Sequence, residues 1–356
     1  MSATSDAVWS EQGTTPDAIE AALRELLVQR HAENEGFVPA RVLNMIAFVD
    51  REWSGEIANR LRGVGRYHAS RMVVLSYEPR RQRLDARVMI ASEGEPHEGE
   101  LALLRETVVV EIGDRHLDDL LTIADPLVVT DLPTLLWSPH GHHDVVEALL
   151  AMSQAILLDS VDEPDAAEAL ARAWALTGQA YVVDLAWLRS TPWRERVAAT
   201  FDPGWLRDEL REIVSVSVRH HPASTVAAAL MAGWLTSRLG WRTGQALSLE
   251  DGAALAGAAR SAAHEVALRL EVEPRLRVPG LETVAIETAA GRRLSLGRGT
   301  GGLRARWHEP DGAEREWTIP GASRGESGVL GEGIRQALLR DPTYVPALEA
   351  ARALLG

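Results

Sequence analysis

The stretch that decides the reading is Tyr181-Val-Val-Asp184-Leu-Ala-Trp187-Leu-Arg189-Ser-Thr191-Pro-Trp193-Arg194. Its first half, 181–187, is β-branched and aromatic and predicts a strand. Thr191 followed by Pro192 predicts an N-cap and the first position of a helix over 193–200. Arg189 and Arg194 then flank a strand-to-helix turn. In open α/β sheets that edge is where ligands and partners are met.

The same arrangement recurs downstream. Residues 212–218 alternate Val214, Val216 and Val218 with Ser215 and Ser217, which predicts a half-buried strand. It hands over through Arg219-His220-His221-Pro222 to a helix over 223–239, with Val226, Leu230, Trp234 and Leu235 on one face. Two strand ends thus present Arg and His beside helix N-termini, a combination suited to carboxylate or phosphate. The candidate anion- or partner-binding residues are Asp184, Arg189, Thr191, Trp193, Arg194, Arg219, His220 and His221. The competing reading is structural: these groups satisfy buried carbonyls and pair with Asp184 or Glu212.

Further out, strand and helix patterns alternate. Residues 16–31 carry Ile19, Leu23, Leu26 and Leu27 at helical spacing behind Thr15. Residues 38–49 read as a strand or a short helix, and 52–61 as a helix. Strands are predicted at 71–77, 84–91, 106–112 and 155–158, and helices at 116–123, 144–153 and 166–177. The run 127–137 is apolar but broken by Pro133. Residues 266–319 shift to short alternating segments broken by Gly and Pro, the pattern of an antiparallel sheet, and 327–355 is helical. The expected fold class is α/β in two domains of alternating strands and helices. A flexible 1–15 precedes domains at 16–160 and 161–356, the second with the antiparallel region and terminal helices. The acidic, proline-containing 159–165 marks the boundary.

Composition narrows the function. A net charge of −14 argues against nucleic acid, whose binding draws its affinity from clustered positive charge. There is no cysteine, which removes disulfides, thiolate nucleophiles and thiolate-bound metals. All 37 basic residues are arginine, so a Schiff-base amine and a P-loop lysine are also missing. The polar 1–15 does not read as a signal peptide, and no apolar run is long enough for a bilayer. The expectation is a cytoplasmic protein with no membrane contact.

Four motifs tempt. Gly297-Arg-Gly299-Thr-Gly-Gly302 has the letters of a dinucleotide fingerprint, but Leu303-Arg-Ala-Arg-Trp307 follows as a strand, so a hairpin loop is expected. Gly321-Ala-Ser323-Arg-Gly325 resembles a nucleophile elbow, yet the last histidine is His308 and no triad can follow it. Ser323 is expected in a loop or cap. His140-Gly-His142-His143-Asp144 reads as a polar loop capping the next helix through Asp144, and no metal or cofactor is expected. His68-Ala-Ser70-Arg71 fixes a strand entry or meets a partner. Among 11 tryptophans most are expected in the core, with Trp193 and Trp205 best placed for a protein contact.

Asp131-Leu-Pro133-Thr-Leu-Leu-Trp137-Ser-Pro139, His68-Ala-Ser70-Arg71-Met-Val-Val-Leu75, the 184–194 stretch and Phe201-Asp-Pro203 together resemble the glucose-6-phosphate dehydrogenase assembly protein family (OpcA). The resemblance covers about 42–241. It implies a non-catalytic partner that binds the dehydrogenase and promotes its active, oligomeric form, with His68, Arg71 and Trp205 as further candidate contacts. The alternative is an enzyme or sensor for a sugar phosphate, which Arg189, Arg194, Arg219, His220 and His221 would hold while Asp184 orients it.

Overall fold

The computed structural model describes residues 6–39, 41–64, 70–92, 100–161, 163–250, 254–320 and 325–356. The chain packs into two compact units. The first comprises Met1–Leu158, Gln179–Val183 and Glu326–Leu339; the second comprises Asp159–Gly178, Asp184–Gly325 and Arg340–Gly356.

The first unit is built on a nine-stranded sheet. Its strands are β1 (Ala7–Glu11), β2 (Phe37–Pro39), β3 (Leu43–Asp50), β4 (Ser70–Tyr77), β5 (Asp85–Ser92), β6 (Ala102–Ile112), β7 (Thr134–Trp137), β8 (Ala155–Leu158) and β9 (Tyr181–Asp184). The order is β1-β5-β6-β4-β3-β7-β8-β9, with β2 beside β6. Pairs β6/β4, β4/β3, β3/β7 and β7/β8 are parallel, while β5 runs antiparallel to β6. Taking β3, β4, β6, β7, β8 and β9 as one to six, this is the 3-2-1-4-5-6 order of a doubly wound dinucleotide-binding sheet. The order reverses between β3 and β7. From Leu43 to Val49 every residue of β3 is buried, as a central parallel strand covered on both faces requires. That settles 38–49 as strand, in two pieces.

Asn44 ties the next crossover down. Its side-chain NH2 donates to Val129 O at 2.9 Å, and its Oδ1 accepts from Val129 N–H at 2.9 Å. Arg71 donates to Glu106 at 2.7 Å, and Arg41 also reaches that carboxylate, which is almost fully buried.

The second unit also carries a nine-stranded sheet. Its strands are β10 (Ile213–His220), β11 (Arg242–Thr243), β12 (Ser248–Glu250), β13 (Ala254–Arg260), β14 (Glu265–Val272), β15 (Leu281–Thr288), β16 (Arg293–Gly299), β17 (Gly302–His308) and β18 (Glu314–Pro320). The order is β11-β13-β14-β10-β15-β16-β17-β18, with β12 beside β13. All pairs are antiparallel except β10/β14. Alternation buries Val216, Leu268, Ile286, Leu296 and Ala305, while Arg269, Glu271, Arg304 and Arg306 stay outside. The antiparallel region expected at 266–319 is therefore present. Gly297–Gly302 forms its β16/β17 hairpin, with Gly301 at φ 78°.

Helix Thr225–Arg238 packs on β10, β14 and helix Tyr344–Leu355. It is buried almost all round, from Val226 to Gly233, rather than on one face as its spacing suggested. Gly233 is what permits the closeness: a Cβ there would lie 2.3 Å from Ala347 O and 2.7 Å from Ala351 N.

The deciding stretch folds differently from its reading. The strand stops at Asp184, and Leu185–Arg189 is a short helix capped by Asp184, whose carboxylate accepts from Ala186 N–H at 2.9 Å. Thr191 is not an N-cap: the following helix is Thr191–Phe201, Ser190 occupies the cap position, and Pro192 falls within the first turn. Asp144 likewise lies inside its helix, His143–Leu149, behind a His142 in left-handed conformation.

Candidate functional site

The sequence-predicted arginines of the second unit are held by carboxylates and carbonyls. Arg189 forms a two-pronged pair with Asp159, at 2.7 and 2.6 Å. Arg194 is 7 % exposed, and its guanidinium carbon lies 3.3 Å from the Trp187 ring centroid. It also donates to Ser190 Oγ, Trp187 O and Thr191 Oγ1, and Asp341 lies 3.7 Å away. Burial lowers its pKa to about 10, against the pull of Asp341 and Glu195.

Asp184 is the hub of this knot. Fully buried, it accepts from Ser160 Oγ at 2.6 Å, Ser160 N–H at 3.2 Å and Tyr344 OH at 3.4 Å as well as from Ala186. Burial and nearby Asp159 push its carboxyl up to about 6, against the bonds from Ser160 and Ala186. Trp187 donates its indole N–H to Asp341 at 2.9 Å, and its ring lies 5.6 Å from that of Tyr344. Burial raises Asp341, but Thr343, Trp187 and Arg194 together bring it below its ordinary range. The sequence reading paired these arginines with Asp184 or Glu212; the partners are Asp159 and Asp341, remote in sequence.

The second strand end serves other partners. Arg219 sits on the outer sheet face between Glu271, at 3.3 Å, and Glu282, at 3.9 Å. His220 is buried against His221 O at 2.8 Å, and burial lowers its pKa. His221 Nδ1 accepts from Ala223 N–H at 3.1 Å and so caps the next turn. Trp193 is 5 % exposed and belongs to the core, which corrects its reading as a contact residue. Arg71 is buried on Glu106, as described, and His68 and Ser323 lie outside the described residues.

Trp205 differs: it is 67 % exposed. It borders a groove of about 370 Å³ lined by Trp307, Trp317, Leu206, Pro203 and Ala313, with Glu309, Glu314 and Arg315 among its polar lining. Phe201 stacks edge-on against Trp307 at 5.9 Å beneath it.

In the first unit, the place where a doubly wound sheet takes its ligand is the carboxyl end of β3, at the reversal point. The turn there reads Asp50-Arg51-Glu52-Trp53-Ser54-Gly55 and enters helix Ser54–Val64. A pyrophosphate cradle needs glycines for the tight turn and for backbone approach, and a helix N-terminus free to receive the anion. Here two carboxylates occupy the turn, and its one cation, Arg51, pairs with Glu78 at 2.8 Å and Glu111 at 3.1 Å. Side chains from across the reversal pack against this turn, while Arg51, Ser54 and Gly55 also border a cavity of about 880 Å³. His142 Nε2 lies 3.1 Å from Asp50, with its ring 4.8 Å from Phe48 and 5.8 Å from Tyr77, while His140 lies 5.6 Å from Trp53. Tyr77 is bonded to Asp114, which with burial raises its hydroxyl to about 12. No group of three metal-ligating side chains occurs among the described residues. Sequence reasoning missed Asp50–Gly55 because periodicity alone does not decide 38–49 between strand and helix; the signal is the apolar run Met45–Val49 ending in a polar turn.

Fold and site define a doubly wound α/β unit with a mixed-sheet companion, with Asp50, Glu52 and His142 at the reversal point of its sheet. Family comparison gives the particular group. Residues 62–174 match the glucose-6-phosphate dehydrogenase subunit N-terminal domain, and 180–348 match the corresponding C-terminal domain. The chain belongs to this glucose-6-phosphate dehydrogenase assembly (OpcA) family, as the sequence resemblance indicated.

Among curated relatives, the OxPP cycle protein OpcA of Synechococcus elongatus is 28% identical over 142 residues, covering 38% of this chain and 32% of that protein. Its Synechocystis counterpart is 30% identical over 120 residues, 32% of this chain and 25% of that protein. The matched segment thus spans a third or less of these relatives' length. Similar solved structures include the WlbA (WbpB) dehydrogenase of Thermus thermophilus, TM-score 0.45 at 14% identity over 88% of this chain and 95% of that one. Another is the scyllo-inositol dehydrogenase of Lactobacillus casei, TM-score 0.45 at 12% identity over 89% and 96%.

Proposed function

We propose that this protein is a non-catalytic partner of glucose-6-phosphate dehydrogenase that binds the enzyme and favours its active oligomeric form, in the oxidative pentose phosphate pathway. The observation that carries the reading is the reversal-point crevice of the first unit. Asp50 and Glu52 stand where a phosphate-binding loop would be, and His142 packs against Asp50 and Phe48 beside them. An anion brought there would meet carboxylates, with Arg51 already engaged. Arg189 and Arg194, the best residues for a sugar-phosphate enzyme or sensor, are bound to Asp159, Trp187 and Asp341. That weighs against the alternative.

A partner shifts an enzyme between states only by the difference in its affinity for them. A coupling of about 1–3 kcal/mol changes substrate affinity about 5- to 150-fold. The encounter is with a soluble enzyme of the cytoplasm, and no helix among the described residues is long and apolar enough to cross a membrane. With no cysteine in the chain, control by thiol oxidation would have to reside in the partner. The test is steady-state kinetics of the dehydrogenase with and without this protein. A fall in the glucose 6-phosphate KM or a rise in kcat is expected; unchanged constants across a saturating titration would refute the proposal.

A further inference from the structure

We propose that Asp184 is a proton-operated latch: with a proton on Oδ2 it fixes the 159–160 turn and helix Tyr344–Leu355 to the Leu185–Arg189 helix, and its ionisation loosens them. The latch stands independently of the partner reading above.

Three passages of the chain meet at this carboxyl. The backbone crosses from the first unit to the second at 158/159, at 183/184 and at 339/340. Asp159, Asp184 and Asp341 lie within two residues of these points, and one network inside the second unit joins them. Asp184 caps the Leu185–Arg189 helix through Ala186 N–H and accepts from Ser160 and Tyr344. Arg189 of that helix holds Asp159, and Trp187 holds Asp341.

The two oxygens of Asp184 differ. Oδ1 meets only backbone N–H donors, Ala186 at 2.9 Å and Ser160 at 3.2 Å, which cannot turn to accept. Oδ2 meets two hydroxyls, Ser160 Oγ at 2.6 Å and Tyr344 OH at 3.4 Å. A hydroxyl donates or accepts as needed, so Oδ2 can take up a proton and keep both partners.

The surroundings favour that neutral form. Among the described residues no cation pairs with Asp184: Arg189 is bound to Asp159, and Arg194 lies on the Trp187 ring beside Asp341. Helix Thr225–Arg238, packed on both helices of the latch, has no titratable side chain before Arg238. Helix Ala166–Thr177, packed on Tyr344–Leu355, brings Glu168, which is exposed, and Arg172. Burial first, and then the charge of Asp159, raise the carboxyl to about 6. Above that pH an anion is held out of water beside a second carboxylate, and any opening that wets it is favoured.

The test is amide hydrogen exchange of the full chain, read on residues 344–355 at about pH 5 and pH 7.5 and corrected for the intrinsic exchange rate. With the carboxyl at about 6 when folded and 3.8 when exposed, protection of this helix should fall about tenfold over that interval. Asp184→Asn keeps an oxygen for Ala186 N–H but carries no charge, and its protection should not fall. Ser160→Ala removes a donor to the anion, so it should move the midpoint of the fall to higher pH; it decides the matter where the asparagine variant does not fold. Protection of 344–355 that is flat with pH in wild type, or a fall of wild-type size in Asp184→Asn, overturns the latch. So does a midpoint that Ser160→Ala leaves in place, or an equal fall in β3, which would make the effect one of the whole protein.

Discussion

Replacing Gly233 by alanine sets two effects of opposite sign against each other. In a helix interior the change should help, because alanine is favoured over glycine by about 1 kcal/mol. At Gly233 the added Cβ would lie 2.3 Å from Ala347 O, 2.7 Å from Ala351 N and 2.9 Å from Ala351 Cβ. Two of these three atoms are backbone, so no side chain can swing away. Reaching an ordinary contact requires helices Thr225–Arg238 and Tyr344–Leu355 to separate by about 1 Å, which forfeits part of every dispersion contact along the seam. Overpacking of this kind costs about 1–3 kcal/mol, and the backbone clash puts Gly233 at or beyond the upper end. The net expectation is a loss of about 2 kcal/mol, or a fall of about 4–8 °C in the transition of the second unit. Gly55→Ala is the control: it also sits in a helix, but nothing lies within 4 Å of its added Cβ, so it should be neutral or stabilising. Thermal and urea unfolding of both variants decide. A Gly233→Ala protein as stable as wild type would refute the helix seam.

Three further outcomes follow from the buried polar groups. The Asp184 carboxyl is raised to about 6 from an ordinary 3.8, so the folded state holds a proton that the unfolded chain releases. Its contribution is therefore full below about pH 4 and lost as pH rises to about 6, on the order of 3 kcal/mol in all. Asp184→Asn should flatten that part of a stability-against-pH profile, and an unchanged slope would contradict the assignment. Arg71→Ala leaves the buried Glu106 with Arg41 alone and should cost about 3–5 kcal/mol in urea unfolding, with a neutral result counting against the pair. Arg189→Ala should lower the melting temperature by the same amount with or without glucose 6-phosphate; a ligand-dependent shift in wild type that the variant loses would revive the anion pocket.

What the sequence revealed depended on whether the deciding contact was local. Helix Ala166–Thr177 is legible because its cap, Asp165, and its apolar spacing lie within the segment. The β14–β18 region is legible because alternation and Gly/Pro punctuation are local too, whereas β13 lies outside the expected 266–319. The 181–187 run misled because one apolar stretch spans a strand and a buried helix, and only Asp184, an Asx cap in mid-run, marks the change. The arginines could not be assigned their partners from spacing, since Asp159 and Asp341 lie 30 residues before Arg189 and far beyond Arg194. Trp193 and Trp205 were alike by composition; which one is buried is set by how helix Thr191–Phe201 meets its neighbours. The crevice at Asp50 needed the strand order, which no single segment encodes.

The central claim is that this chain acts by binding the dehydrogenase and turns nothing over itself. Sedimentation velocity of the purified dehydrogenase across a titration of this protein tests it most directly. The account predicts a new, larger species containing both chains, with the enzyme's higher oligomer enriched as the titration proceeds. Two independent boundaries at every ratio, each at the position of its isolated component, would contradict it.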